Sequence, residues 1–190
     1  MGETKSNPYS LKARLRGIQK KYGDIVCLDL GCGKDESPIS HAVLEIPWRV
    51  LVSVDAWEHN ISALQDKRKA GGIAAVHWTY YIEPIEKIVP RLPDKKYDVT
   101  LFIDSLEHLP KPVALSMLAE AERLTTTRII IFLPIGPCPQ GPLNGNPFEV
   151  HQSTWTVDEL ESLGYDVQLF PQLHRHINPW VDAAWAVKKV

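Results

Sequence analysis

Three cysteines in 190 residues are too few, and too irregularly placed, for a disulfide framework or a zinc site. Cys27 lies in the apolar run 25–28 and reads as a small buried thiol, while Cys32 and Cys138 fall in glycine- or proline-rich loops without a CxxC partner. An excess of either charge sign is also missing. With 21 Lys and Arg against 23 Asp and Glu, the net charge of −2 gives no global field to hold nucleic acid or an anionic membrane. No stretch approaches the roughly 18 uninterrupted apolar residues of a membrane helix. Residues 1–8 lack the apolar core and small-residue cleavage site of a secretory signal. There are no internal repeats. A soluble, cytoplasmic protein is expected, with residues 1–190 forming one domain, since about 100–200 residues make up a usual domain.

What the sequence does have is alternation. Short β-branched runs at residues 25–30, 50–54, 73–77, 99–103 and 129–133 are apolar on both faces, as strands at the centre of a parallel sheet must be. Helical patterns separate them, starting at Ser37-Pro38 and spanning 57–68, 84–89 and 112–124. Such βαβ alternation specifies an α/β fold with helices on both faces of the sheet. A leading helix within residues 1–23 is predicted from the Ser10 cap, the spacing of Leu11, Leu15 and Ile18, and the stop at Gly23. Glycine and proline crowd residues 135–147, so a loop over the sheet is expected there, with 135–155 on the substrate side. Thr156 and Glu159 form a capping box for a short helix ending at Gly164. Two further strands, 167–170 and 183–190, close the chain.

Ligands of open α/β sheets sit beyond the C-terminal strand ends. The first strand ends in Asp29-Leu30-Gly31-Cys32-Gly33, where glycines would let a ligand approach backbone N–H groups. The second ends in Val54-Asp55, whose carboxylate is placed to accept from both hydroxyls of an adenosine ribose. Glu36, with Asp35 beside it, replaces the third glycine of the dinucleotide fingerprint and would repel a pyrophosphate at the helix start. NAD and FAD are therefore disfavoured. A ligand with an amino-acid end, carrying an ammonium group, would gain from Asp29.

Residues 26–33 resemble the first motif of class I S-adenosylmethionine-dependent methyltransferases. Val54-Asp55 resembles the family's acidic residue after the second strand, and residues 97–109 resemble its fourth-strand motif. His151 to Trp155, Glu159-Leu160 and Gly164-Tyr165 resemble the segment between its fifth and sixth strands. The likeness covers residues 25–170 and is closest to the small-molecule, type 11 branch. It implies a Rossmann-like three-layer sandwich on a mostly parallel seven-stranded sheet with an antiparallel last strand. It further implies that Gly31, Cys32 and Gly33 line the methionine part of S-adenosylmethionine and that Asp29 accepts from its amino group. Asp55, with Ala56 beside it, would hold the ribose, and Asp104 and Ser105 would lie near the transferable methyl. Many relatives place an adenine-reading Asp after the third strand. Here His77-Trp78-Thr79-Tyr80 stands instead, leaving Trp78 to stack on the adenine or Thr79 to accept from it.

Methyl transfer from a sulfonium chiefly requires alignment, with a general base where the acceptor is a hydroxyl or an ammonium. His108 and His151 are the candidate bases, because imidazole titrates near neutral pH. Glu107 reads as a structural carboxylate. No metal site is expected, since His174 and His176 lack a third ligand. Trp155 belongs to the core or to the rim of an acceptor pocket. No Asn-Pro-Pro-Tyr-like motif follows the fourth strand and no Pro-Cys pair stands in position, so a small polar acceptor is expected by elimination. The basic residues Lys12, Arg14, Arg16, Lys20 and Lys21 make nucleic acid a less favoured partner. An RNA or protein acceptor, or a non-catalytic cofactor-binding subunit, is the alternative.

Overall fold

In the computed structural model, which describes residues 8–34, 38–174 and 180–190, seven strands form one sheet in the order β3-β2-β1-β4-β5-β7-β6. The strands are β1 (Val26–Leu30), β2 (Val50–Asp55), β3 (His77–Ile82), β4 (Tyr97–Ile103), β5 (Thr125–Ile135), β6 (Asp166–His174) and β7 (Val181–Lys189). All neighbours pair in parallel except β7, which inserts antiparallel between β5 and β6. Strand order reverses between β1 and β4, and the crevice beyond those two strand ends is where such sheets bind ligands.

Side chains alternate along each central strand and feed two cores. Leu28, Leu30, Phe102, Ile129 and Ile131 pack on one face with Ile85 and Ile88 of α4 (Ile85–Ile88), Leu118 of α5 (Lys111–Leu124) and Leu160 of α6 (Val157–Ser162). Cys27, Leu51, Leu101, Ile130 and Phe132 pack on the other with Leu15 of α1 (Pro8–Tyr22), Val43 of α2 (Pro38–Leu44) and Leu64 of α3 (Glu58–Lys69). This double burial explains the continuous apolar runs. Gly23 ends α1 as expected, in the left-handed region at φ 75°. The helix itself begins at Pro8, two residues ahead of the Ser10 cap, because proline suits a first helical turn. Among the described residues no helix is long and apolar enough to cross a membrane.

The third strand departs from expectation. It runs His77–Ile82 rather than 73–77, and the apolar run before it is a packed lead-in. Ile73 and Ala75 are buried in the second core, but the peptide groups there are engaged elsewhere. Arg68 donates to the carbonyls of Ile73, Ala75 and Val76 at 2.8, 2.7 and 3.1 Å, and the Ala74 N–H donates to the Leu44 carbonyl at 2.8 Å. The true β3 is an edge strand with only Trp78 and Tyr80 half-buried, so it lacks the two-faced apolar signature.

The capping box forms as read from the sequence. The Glu159 N–H donates to Thr156 Oγ1 at 3.2 Å, and the Thr156 N–H donates to Glu159 Oε2 at 2.9 Å. Thr156→Ala should cost about 1 kcal/mol, which for a chain of this size lowers Tm by roughly 2–4 °C in a calorimetric scan.

Candidate active site

The loop after β1 is set by two left-handed glycines, Gly31 at φ 76° and Gly33 at φ 61°. Its N–H groups are not the free donors the sequence suggests. Those of Gly31 and Cys32 donate to the Val54 carbonyl at 2.9 and 3.0 Å, and that of Gly33 donates to Asp55 Oδ2 at 2.9 Å. The glycines supply room instead. A Cβ on Gly31 would stand 2.5 Å from Ser105 Cβ, so only glycine lets the β1 and β4 loops meet, whereas a Cβ on Gly33 would meet nothing within 4 Å.

Asp55, at the end of β2, also accepts from the Trp57 N–H at 2.8 Å and from Asn60 Nδ2 at 3.1 Å through Oδ1. Burial raises its pKa, opposed by those hydrogen bonds and by that from Gly33. Among the described residues three of a carboxylate's about four acceptor positions are filled, which leaves capacity for one further donor.

A cavity of about 470 Å³ opens at these strand ends, inside the roughly 300–1,000 Å³ of small-molecule sites. It brings together Gly31, Cys32, Gly33, Asp55, Ala56, Asp104, Ser105 and His108. Asp29 lies beneath the glycine loop, 3% exposed and outside the lining. Trp78 and Thr79 are also outside it, which corrects their placement after the third strand. Both lie within β3, where Trp78 Nε1 donates to Ser53 Oγ at 3.0 Å and its ring packs on Tyr80. Pro84, Ile85 and Glu86, just past the strand's true end, line the cavity in their stead. Nothing in their residue types signalled this before the strand was located.

Beyond β4, Asp104 adopts a left-handed φ of 47° while its N–H donates to the Phe132 carbonyl at 2.8 Å. Among the described residues, Asp104 Oδ1 and Ser105 Oγ are buried without a hydrogen-bond partner, so both can receive a ligand's donors. Burial, helped by the Glu149 carboxylate, pushes the Asp104 pKa up to about 7. Burial and then Asp55 raise Asp29 likewise to about 7, and burial with Asp104 raises Glu107 well above its ordinary range. Among the described lining residues, Asp55, Glu86, Asp104 and Glu149 face one lysine, Lys34. Such a site stabilises a positively charged ligand and repels a pyrophosphate. Asp35 and Glu36, from which the sequence reading drew that conclusion, lie outside the described residues, as do His176 and the side chain of His174.

Residues 136–156 form the expected loop. It contributes Asn146, Pro147, Phe148, Glu149 and Gln152 to the lining, and Phe148 meets Trp57 edge-on at 6.5 Å. The Gln152 and Ser153 N–H groups donate to the Glu107 carbonyl at 2.7 and 3.0 Å, and Gln152 Nε2 donates to the His108 carbonyl at 2.6 Å. This attachment brings His151 against His108, with ring centroids 4.8 Å apart. Burial lowers the pKa of both imidazoles and favours their neutral forms. His151 stands behind the lining rather than in it. Trp155 is wholly buried, its Nε1 donating to Ser153 Oγ at 3.1 Å, and forms core rather than rim.

A family model described as a methyltransferase domain matches residues 28–131, more than half of the chain. No curated protein matches the sequence significantly. Solved structures share the fold at low identity. TehB from Haemophilus influenzae superposes with a TM-score of 0.69 at 15% identity, over 93% of this chain and 61% of its own. The chain thus spans about three-fifths of that protein. Magnesium protoporphyrin IX methyltransferase from Synechocystis PCC 6803, solved with bound S-adenosylmethionine, gives 0.64 at 15% identity, covering 95% and 79%. The 1,6-didemethyltoxoflavin-N1-methyltransferase from Burkholderia thailandensis, solved with 1,6-didemethyltoxoflavin and S-adenosylhomocysteine, gives 0.65 at 18% identity, covering 98% and 79%.

Gly31→Ala should lower stability by about 2–4 kcal/mol in urea titrations, combining left-handed strain with overpacking against Ser105. Gly33→Ala, which meets no atom, should cost only the strain, roughly 1–2 kcal/mol. Asp29 offers a pH test. The folded protein binds its proton more tightly than the unfolded chain, so the linked stability is complete in acid and is lost as the pH rises from 3.8 through about 7. Across that window the Tm of the wild type should fall relative to that of Asp29→Asn, which has no proton to lose.

Proposed function

The chain belongs to the S-adenosylmethionine-dependent methyltransferases, and on that premise we propose that it methylates a small polar acceptor held between the β4 loop and residues 146–152. The observation that carries this reading is the acidic lining of the cavity, in which unpartnered Asp104 Oδ1 and Ser105 Oγ adjoin the glycine edge. When bound, the cofactor supplies a methyl group on a cationic sulfur, an electrophile that is already activated.

The residues of this chain then bind and align. Asp55 offers its remaining acceptor position to a ribose hydroxyl, and Ala56 flanks it. Gly31, Cys32 and Gly33 present an edge against which the methionine part fits. Asp29 favours an ammonium group through its charge. Pro84, Ile85 and Glu86 take the adenine side in place of Trp78 and Thr79. Asp104 and Ser105 stand at the methyl, where alignment alone can supply several kcal/mol, up to roughly 7–11 in ideal cases. His108, which lines the cavity and whose neutral form burial favours, accepts a proton from the acceptor, with the His151 ring packed behind it.

The size of the acceptor follows from the loop. Asn146 to Glu149 occupy part of the strand-end crevice, and a cavity of about 470 Å³ has little room for a macromolecular chain beside the cofactor. The toxoflavin-precursor enzyme, whose fold is similar, supports the same class. Residues 1–190 act in this reading as one domain.

Thermal-shift measurements with S-adenosylhomocysteine, NAD and ATP test the cofactor assignment. Only the first should raise Tm, with a stabilisation of about 2.7 kcal/mol at a hundred times Kd. Asp55→Ala should abolish the rise, because it removes both the ribose acceptor and the clamp on Gly33. A shift with NAD instead would overturn the assignment. Mass-spectrometric detection of methyl transfer across a panel of small hydroxyl- and amine-bearing metabolites tests the acceptor class, and transfer confined to RNA or protein would refute it.

A further inference from the structure

Beside the cavity lies a group of side chains that alignment of cofactor and acceptor does not require. Glu107 is 1% exposed, and its Oε2 has no hydrogen-bond partner. Among the described residues the buried Nδ1 of His108 is also unpartnered, while its Nε2 lies 4.0 Å from Glu149 Oε2. Ligand-type atoms of Glu107, His108 and His151 lie within 4.8 Å of one another. A buried carboxylate is costly without a compensating charge or hydrogen bonds, and here it meets two imidazoles.

The surroundings hold these groups in place. The loop hydrogen bonds to the Glu107 and His108 carbonyls fix the segment carrying His151. His151 Nδ1 lies 2.5 Å from the Cys138 carbonyl. Donation of the Nδ1 proton to that oxygen leaves Nε2 bare. Metal-binding histidines have this arrangement, one ring nitrogen donating to a carbonyl and the other facing the ion.

We propose that Glu107, His108 and His151 bind one divalent transition-metal ion at the acceptor end of the cavity, leaving open positions for an oxygen atom of the acceptor. Two imidazoles and a carboxylate suit zinc, cobalt or manganese better than magnesium or calcium. Three protein ligands with open positions are the pattern of catalytic rather than structural sites. Bonds of about 2.0–2.2 Å place neighbouring ligand atoms roughly 3–3.5 Å apart, so side-chain rotations of about an ångström complete the set. Of the three, His108 alone lines the cavity, so an acceptor would approach the ion past its ring. The proposal rests on the methyltransferase reading only for the identity of that end of the pocket. There the ion would replace the His108 imidazole as the aid to deprotonation, lowering the pKa of a bound hydroxyl whose proton passes to solvent at the cavity mouth.

The test uses the full chain without a polyhistidine tag, freed of metal by a chelator and titrated with Co²⁺ near neutral pH. Visible ligand-field absorption should saturate at one equivalent and be displaced by Zn²⁺. Glu107→Gln and His151→Ala should each weaken binding by more than the roughly 10- to 100-fold that an outer-shell partner costs, while their far-UV circular dichroism and thermal shift with S-adenosylhomocysteine persist. No saturable absorption up to millimolar Co²⁺, or binding of wild-type strength in both variants, would overturn the proposal. Failure of the wild-type thermal shift counts against the cofactor reading alone, so the two can fail separately.

Discussion

The site depends on the contact between Gly31 and Ser105. Two strands that neighbour one another at the reversal of sheet order must also bring their following loops together, and a single added methyl group would part them. With that contact made, Asp55 draws Gly33 and the start of α3 to the same point through three hydrogen bonds. Three strand ends are thereby tied into one rim. The glycines work by what they omit, since the N–H groups around them are already engaged by Val54 and Asp55.

Within that rim the balance of charge favours a cation. Four carboxyl groups and one lysine line the described part of the cavity, and Asp29 and Glu107 stand buried behind it. Asp29, Asp104 and Glu107 have their proton affinities raised by desolvation first and by a neighbouring carboxylate second. A cation placed among them would favour their ionised forms.

Features encoded by adjacent residues were legible in the sequence. The glycine loop, the acidic residue after β2, the capping box and the two-faced central strands each rest on local spacing, and the order of motifs pointed to the family. The third strand was not legible. Its identity depends on Arg68 occupying the carbonyls of residues 73–76, a contact made from a different helix. The displaced strand in turn leaves Trp78 and Thr79 outside the cavity, where Pro84 to Glu86 line it instead. Glu107 was visible beside His108, yet its relation to His151 exists only through the path of the intervening loop.

That loop bears on how the cavity is entered. Its C-terminal part is fastened to the backbone of Glu107 and His108, and Gly136 donates to the Trp155 carbonyl at 2.8 Å, closing its base. Swinging the whole loop aside would carry His151 away from its neighbours. An opening that kept those contacts would be confined to the tip around Phe148, whose ring meets that of Trp57 at the start of α3. The floor of the chamber is thus built from the same contacts that anchor the loop.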